Sequence, residues 1–159
     1  MFLKPDYNLE NIYKIDFEEL KRAGIKAILL DLDSTIMASK SGVYTDETYS
    51  WLETAQENFF VAVVSNNKNP KYIEKVKKIS NFPLLFDACK PRTGIVKNFL
   101  KEHDINIKEC VLVGDRPLTD ILCGKLLGCK TILVDSITAK QEAKIVRFAR
   151  FLERLTVKK

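Results

Sequence analysis

No uninterrupted apolar run in this 159-residue chain approaches the roughly 20 residues that a membrane-spanning helix requires. The opening residues, Met1-Phe2-Leu3-Lys4-Pro5-Asp6, lack the apolar core and the small-residue cleavage site of a secretory signal, so a cytoplasmic setting is expected. The four cysteines, Cys89, Cys110, Cys123 and Cys129, are widely spaced and form no CxxC pair. That argues against a zinc site or a disulfide framework, and small reduced core residues are expected instead. His103, the only histidine, stands apart from every motif below and is expected to end a helix, where the dipole favours it. Internal repeats and low-complexity stretches are absent as well. Hydrophobic residues at 46% and charged residues at 30% exclude disorder and suit one compact domain over residues 1–159. A domain of this size can bury roughly 70% of its unfolded surface, so it needs no covalent staple. The net charge of +5 is carried by the segment from Thr138 to Lys159, the rest being balanced. Any attraction to an anionic partner would come from that end.

What is present is an alternation. Apolar, β-branched-rich runs at Ala27 to Leu32, Phe60 to Ser65, Leu84 to Phe86, Cys110 to Gly114 and Thr131 to Val134 predict five strands. Continuous rather than alternating apolar character suits strands buried on both faces of a parallel sheet. Helical periods fall between them, at Asp46 to Phe59 with Thr45 as N-cap, at Pro70 to Ile79 with Asn69 as N-cap, around Ile95 to Leu100, and at Leu118 to Leu127. The β-α-β-α order predicts a doubly wound α/β domain with a five-stranded parallel sheet.

Ligands in such sheets bind beyond the carboxyl ends of the strands. Here those ends read Asp31-Leu32-Asp33, Ser65-Asn66-Asn67 and Gly114-Asp115, with Lys90-Pro91 soon after the third run. Converging acids, Asp31, Asp33, Asp115 and Asp120, need a cation among them, and oxygen donors alone favour Mg²⁺. A carboxylate can attack phosphorus, and a second one across a tight turn can protonate the leaving oxygen and later deprotonate water. Ser65 and the amides after it could hold phosphoryl oxygens. Lys90 could neutralise charge on nucleophile and phosphate, while Gly114 permits close backbone approach.

This pattern resembles the haloacid dehalogenase superfamily of phosphatases. D-x-D-x-T/V matches Asp31 to Thr35, an apolar strand ending in Ser or Thr matches Val63-Val64-Ser65, the lone Lys matches Lys90, and G-D-x-x-x-x-D matches Gly114 to Asp120. The resemblance implies Asp31 as nucleophile and metal ligand, and Asp33 as acid/base whose main-chain carbonyl also binds metal. It implies Asp115 as a direct ligand, and Asp120 as a water-mediated ligand or a support for Lys90. Ser65 and Asn66 would hold the phosphate. Pro5-Asp6, Ile12-Tyr13, Ser65-Asn66-Asn67, Lys90-Pro91 and Arg147 to Arg154 further resemble the YqeG-type subclass III phosphatases, a family related to phosphatidylglycerophosphate phosphatases. Ser34 departs from the Asn common in that family. Arg116-Pro117 departs from its Gln and apolar residue, which makes Arg116 a candidate substrate contact. The implied fold is a Rossmann-like three-layer sandwich.

Spacing limits the surroundings. Asp31 to Ser65 has room for a turn, a short flap near Ile36 to Tyr44, one helix and one strand, and Ser65 to Lys90 for one helix and one strand. No cap domain fits, so an open site and a bulky phosphorylated substrate are expected, a lipid head group such as phosphatidylglycerophosphate among them. Near the end, Ile145, Phe148, Ala149, Leu152 and Leu155 share one helical face, with Arg147, Arg150 and Arg154 opposite. The spacing predicts a last helix packed on the sheet, and peripheral contact with an anionic membrane is the alternative. Nucleic acid is disfavoured, because no aromatic-studded basic sheet is in view. Two other functions compete with a phosphomonoester hydrolase: a phosphoaspartate switch, against which Asp33 argues, and a non-catalytic phosphate-binding module.

Overall fold

The computed structural model describes residues 3–137 and 152–157 of the chain. At its centre lie β1 (Tyr7–Leu9), β2 (Ala27–Leu30), β3 (Phe60–Val64), β4 (Leu84–Leu85), β5 (Cys110–Gly114) and β6 (Lys130–Val134). They form one parallel sheet in the order β1-β6-β5-β2-β3-β4. Every residue of β2 and β5 is buried, which explains why these runs read as unbroken apolar sequence. Side chains alternate between two cores: Ile28, Leu30, Val61, Val63, Val111 and Val113 face one way. Ala27, Leu29, Ala62, Val64 and Leu112 face the other.

Helices close both faces. On the first lie α1 (Phe17–Arg22), α2 (Asp46–Asn58) and α3 (Pro70–Ile79), contributing Leu20, Leu52, Ala55 and Val76 to the core. On the second lie α4 (Gly94–Glu102) and α5 (Leu122–Leu127), contributing Val96, Phe99, Leu100, Cys123 and Leu127. The expected caps form: Thr45 Oγ1 accepts from the Thr48 amide, and Asn69 Oδ1 accepts from those of Lys71 and Tyr72. His103 ends α4, with its ring against Phe99 and Phe60.

Among the described residues the sheet has six strands, not five. The strand missing from the expectation is β1, a half-buried edge segment of three residues, Tyr-Asn-Leu, with no apolar run to betray it. Its register on β6 is fixed by Asp6, whose Oδ2 accepts from the Thr131 amide at 2.8 Å and from Thr131 Oγ1 at 3.1 Å. Burial alone would raise the Asp6 carboxyl, but the Thr131 amide and the Lys125 charge hold it below its ordinary value. A second difference lies at Pro117–Ile121, a π-helical turn where an α-helix from Leu118 was expected; α5 begins only after it.

Among the described residues no cap domain lies over the sheet. The connection from β2 to α2 is a loop over residues 31–45, and α3 is the helix between β3 and β4. No helix of the described residues is long and apolar enough to cross a membrane. Ile145, Arg147, Phe148, Ala149 and Arg150 of the anticipated C-terminal helix lie outside the described residues. Leu152 and Leu155, expected on its inward face, are exposed at 46% and 59%. Arg154 is tied to the sheet by a 2.8 Å bond to the carbonyl of Val134. The buried residue of that turn is Glu153.

Candidate active site

After β2 the chain runs on to β3 and β4 on one side, then returns to β5 on the other, so the crevice opens at the carboxyl end of β2. Asp31 stands there, its amide donating to Val113 O at 2.9 Å. The loop then reverses within a few residues: Ser34 takes the left-handed φ of 68°, and its amide donates to Met37 O at 2.8 Å. Asn adopts that conformation more readily than Ser, a physical reason why Asn would suit position 34.

Lys90 is the hub. Its ammonium, buried with Lys90 itself only 5% exposed, lies 3.0 Å from Asp31 Oδ1 and 2.7 Å from Asp120 Oδ1. Burial would lower the Lys90 pKa, but the charges of Asp120 and then Asp31 raise it above its ordinary value, so the ammonium persists at neutral pH. Burial and repulsion from Asp120 push the Asp31 carboxyl up, against the pull of Lys90. Asn66 clamps the backbone of Lys90 from both sides: its Oδ1 accepts from Lys90 N at 2.7 Å and its Nδ2 donates to Lys90 O at 2.9 Å. The side-chain amide expected to hold phosphate thus places the lysine through Oδ1 and one of its two N–H groups.

Asp120 is fully engaged too. While Oδ1 meets Lys90, Oδ2 accepts from the Arg116 amide at 3.1 Å. Gly114 makes room for it: a Cβ there would sit 2.2 Å from Asp120 Cγ. The close approach anticipated at Gly114 is thus to the Asp120 carboxylate. Asp115 is buried and accepts from Thr35 Oγ1 at 3.2 Å. Arg116 turns its guanidinium to Glu153 Oε1 at 2.7 Å, an engagement that the sequence did not announce. Ser65 is buried at the end of β3, and its Oγ accepts the Asn67 amide at 3.1 Å, leaving the hydroxyl proton to donate.

Carboxylate oxygens of Asp31, Asp115 and Asp120 come within 4.8 Å of one another. Among the described residues Lys90 is the ammonium paired with this group. Three carboxylates facing one ammonium, with hard oxygen donors only, suit a divalent cation. Each carboxylate oxygen keeps a second lone pair, so Asp31, Asp115 and Asp120 remain candidate donors even though Asp120 already meets Lys90 and the Arg116 amide.

Asp33 lies apart from that cluster. Its Oδ1 accepts from Tyr72 Oη at 2.5 Å and from the Lys40 amide at 2.9 Å, and Asn67 Nδ2 stands 3.5 Å from its Oδ2. Burial, and the bond to Asp33, raise the Tyr72 phenol, so it stays protonated as a donor. Sequence reasoning passed over Tyr72. The signal was its position, the third residue of a helix whose N-terminus must lie at the carboxyl edge of the sheet. Cys89, expected in the core, is exposed in the loop before Lys90, whereas Cys110, Cys123 and Cys129 are buried.

Comparison with known proteins agrees with this architecture. Residues 88–155 match a family model described as HAD-hydrolase-like. The Bacillus subtilis "Probable phosphatase YqeG" is 30% identical over 153 residues, covering 96% of this chain and 88% of that protein. The Arabidopsis thaliana chloroplastic/mitochondrial phosphatidylglycerophosphate phosphatase 1 is 29% identical over 167 residues, 99% of this chain but 48% of that longer protein. Among solved structures, a HAD-superfamily hydrolase of subfamily IA from Geobacter sulfurreducens superposes with a TM-score of 0.56. It is 14% identical and covers 70% of this chain and 87% of its own, a likeness of fold.

Proposed function

The chain belongs to the YqeG-like phosphatase family of the haloacid dehalogenase superfamily, and from that premise we propose that it is a Mg²⁺-dependent phosphomonoester hydrolase acting through an aspartyl phosphate on Asp31. The observation that carries this reading is the buried Lys90 ammonium shared between Asp31 and Asp120, with Asp33 two residues on held by its own donors. The cation would be held among Asp31, Asp115 and Asp120 and, when bound, would supply charge neutralisation for the phosphoryl group.

The chain's own residues do the rest. A carboxylate oxygen of Asp31 attacks phosphorus as the bond to the leaving oxygen breaks, and Asp33 gives that oxygen its proton. Water then attacks phosphorus, Asp33 takes the proton back, and the bond from phosphorus to Asp31 breaks. Inorganic phosphate leaves and both carboxyl groups are restored. Lys90 keeps Asp31 aimed and offsets its charge, Ser65 donates to a phosphoryl oxygen, and Asp120 and Asn66 fix Lys90 from opposite ends. Arg116, with one amino group on Glu153, would meet substrate through its remaining guanidinium N–H groups.

Phosphatidylglycerophosphate is the preferred substrate, because the Arabidopsis relative is named for it and the site lies open among the described residues. Cytoplasmic placement, with the basic C-terminal segment at an anionic membrane surface, fits the same reading. The test is Mg²⁺-dependent phosphate release from p-nitrophenyl phosphate, then from the lipid in mixed micelles beside sugar phosphates, nucleotides and phosphopeptides. Asp31→Asn is expected to abolish release while the melting temperature holds. Turnover that survives Asp31→Asn in pure protein would refute the aspartyl phosphate, and no turnover of the lipid would discard that substrate.

A further inference from the structure

Helix α3 grips the loop that carries Asp33 at two points. Tyr72 Oη donates to Asp33 Oδ1 at 2.5 Å and stands 3.1 Å from Met37 Sδ. One helical turn on, Lys75 Nζ donates to Ser41 O at 3.0 Å. The ring of Tyr72 packs against the core on the α2–α3 side of the sheet, and Asn69 caps the helix at the Tyr72 amide, so the phenol is placed by rigid structure. The loop itself is tight, with Asp33 bridged to Met37.

The two oxygens of Asp33 are unlike. Oδ1 already accepts two strong donors, the Tyr72 hydroxyl and the Lys40 amide. A proton on Oδ1 would have to displace one of them. Among the described residues, Oδ2 has only the Asn67 amide at 3.5 Å, beyond good hydrogen-bonding distance. A protonated Asp33 therefore carries its proton on Oδ2, and the bond from Tyr72 holds the carboxyl plane that aims it.

We propose that Tyr72 is a positioning residue for proton transfer, fixing Asp33 so that Oδ2 delivers its proton to the leaving oxygen. This rests on the phosphatase reading above. In the step concerned, the bond between phosphorus and the leaving oxygen breaks as Asp31 bonds phosphorus. The Oδ2 proton passes to the leaving oxygen, and Asp33 is left ionised. A basic leaving group such as phenoxide needs that proton, whereas 4-nitrophenoxide or 2,4-dinitrophenoxide leaves readily without it. The contribution of Tyr72 must then grow with the basicity of the leaving group.

The experiment measures kcat/KM for phenyl, p-nitrophenyl and 2,4-dinitrophenyl phosphate with the full chain and Mg²⁺, for wild type and Tyr72→Phe, each checked by melting temperature. Tyr72→Phe keeps the ring and loses the hydroxyl. The expected loss is about tenfold or more on phenyl phosphate but under about threefold on 2,4-dinitrophenyl phosphate, within the span of general acid catalysis. In an Asp33→Asn background the same substitution is expected to change phenyl phosphate turnover less than about twofold, since it acts through Asp33. Equal losses on all three esters, no loss at all, or a full additional loss in the Asp33→Asn background would overturn the inference while leaving the phosphatase reading intact. A wild type that releases phosphate from none of the esters overturns both.

Discussion

Replacing Lys90 by Met is the sharpest test of how this site is held together. The substitution keeps most of the aliphatic stem and deletes the ammonium that sits 3.0 Å from Asp31 and 2.7 Å from Asp120. The Lys90 and Asp120 side chains are each 1% exposed and that of Asp31 15%, so water has little access to replace the lost partner, least of all at Asp120. Breaking a buried pair from one side costs about 3–5 kcal/mol, because a charge is left uncompensated. The apolar swap in itself costs less than about 1.5 kcal/mol. Against a total stability of about 5–15 kcal/mol, the variant should lose a large fraction, lowering Tm by about 6–20 °C for a chain of this length. The assay is urea unfolding at pH 7 in cation-free buffer, read as a change in midpoint at constant slope. Acid should shrink the deficit. Burial and Asp120 already raise the Asp31 carboxyl, and without the ammonium the raise is larger. A group with a raised folded pKa is favoured as its protonated form, so its penalty is absent below the unfolded value of about 3.9 and grows as pH rises towards the folded one. Asp120→Asn added to Lys90→Met should restore part of the loss, because it removes one of the two uncompensated charges. A deficit under about 1 kcal/mol at pH 7, or one that does not change between pH 7 and 4, would refute the picture of Lys90 as the counter-charge of two buried acids.

Gly114→Ala puts a methyl 2.2 Å from Asp120 Cγ, so Asp120 must move and release Lys90; phosphate release should fall by about tenfold or more, with about 1–3 kcal/mol lost in urea unfolding. Wild-type turnover in that variant would show that Asp120 has room to shift. Burial pushes the thiols of Cys110 and Cys129 up to about 12 and that of Cys123 up to about 11. Because unfolded thiols ionise near about 8.5 and folded ones do so later, the thiols' contribution to stability should be constant below that pH and fall by up to about 4 kcal/mol per pH unit between roughly pH 9 and 11. Unfolding monitored across that range checks it, and a Cys123→Ala variant should show a shallower fall.

The fold was legible where burial speaks through composition. Strands β2, β3 and β5 are enclosed on both faces, so nearly every residue is apolar, and their carboxyl ends stand out as the places where polar residues begin. That is why Asp31, Ser65 and Asp115 could be placed at one crevice from spacing alone. Strand β1 carried no such mark, because an edge of three residues needs only one neighbour, and Asp6 reaches Thr131 across 125 residues of sequence. Thr45 and Asn69 were legible as caps because the bond each makes is local.

Side chains whose roles depend on distant partners were less legible. Asn66 looks from the sequence like a phosphate ligand beside Ser65, yet a two-point clamp on Lys90, 24 residues on, uses both ends of its amide. Asp120 reads from the sequence as a water-mediated metal ligand or a support for Lys90, and its Oδ1 does meet the Lys90 ammonium, while its hold on the Arg116 amide was not foreseen. The two share one consequence. A lysine between carboxylates can turn toward either one, and only restraint at both ends keeps Nζ on Asp31 and Asp120 together. Asn66 fixes the backbone end of Lys90 and Asp120 fixes the ammonium end, so the placement of Lys90 against Asp31 depends on both. Tyr72 does for Asp33, from a helix 39 positions later, what this pair does for Asp31 through Lys90. Each of the two carboxylates expected to do chemistry is aimed by a donor far off in sequence and close in space; the ordered motifs supplied Lys90 for Asp31, but no pattern in the sequence supplied Tyr72 for Asp33.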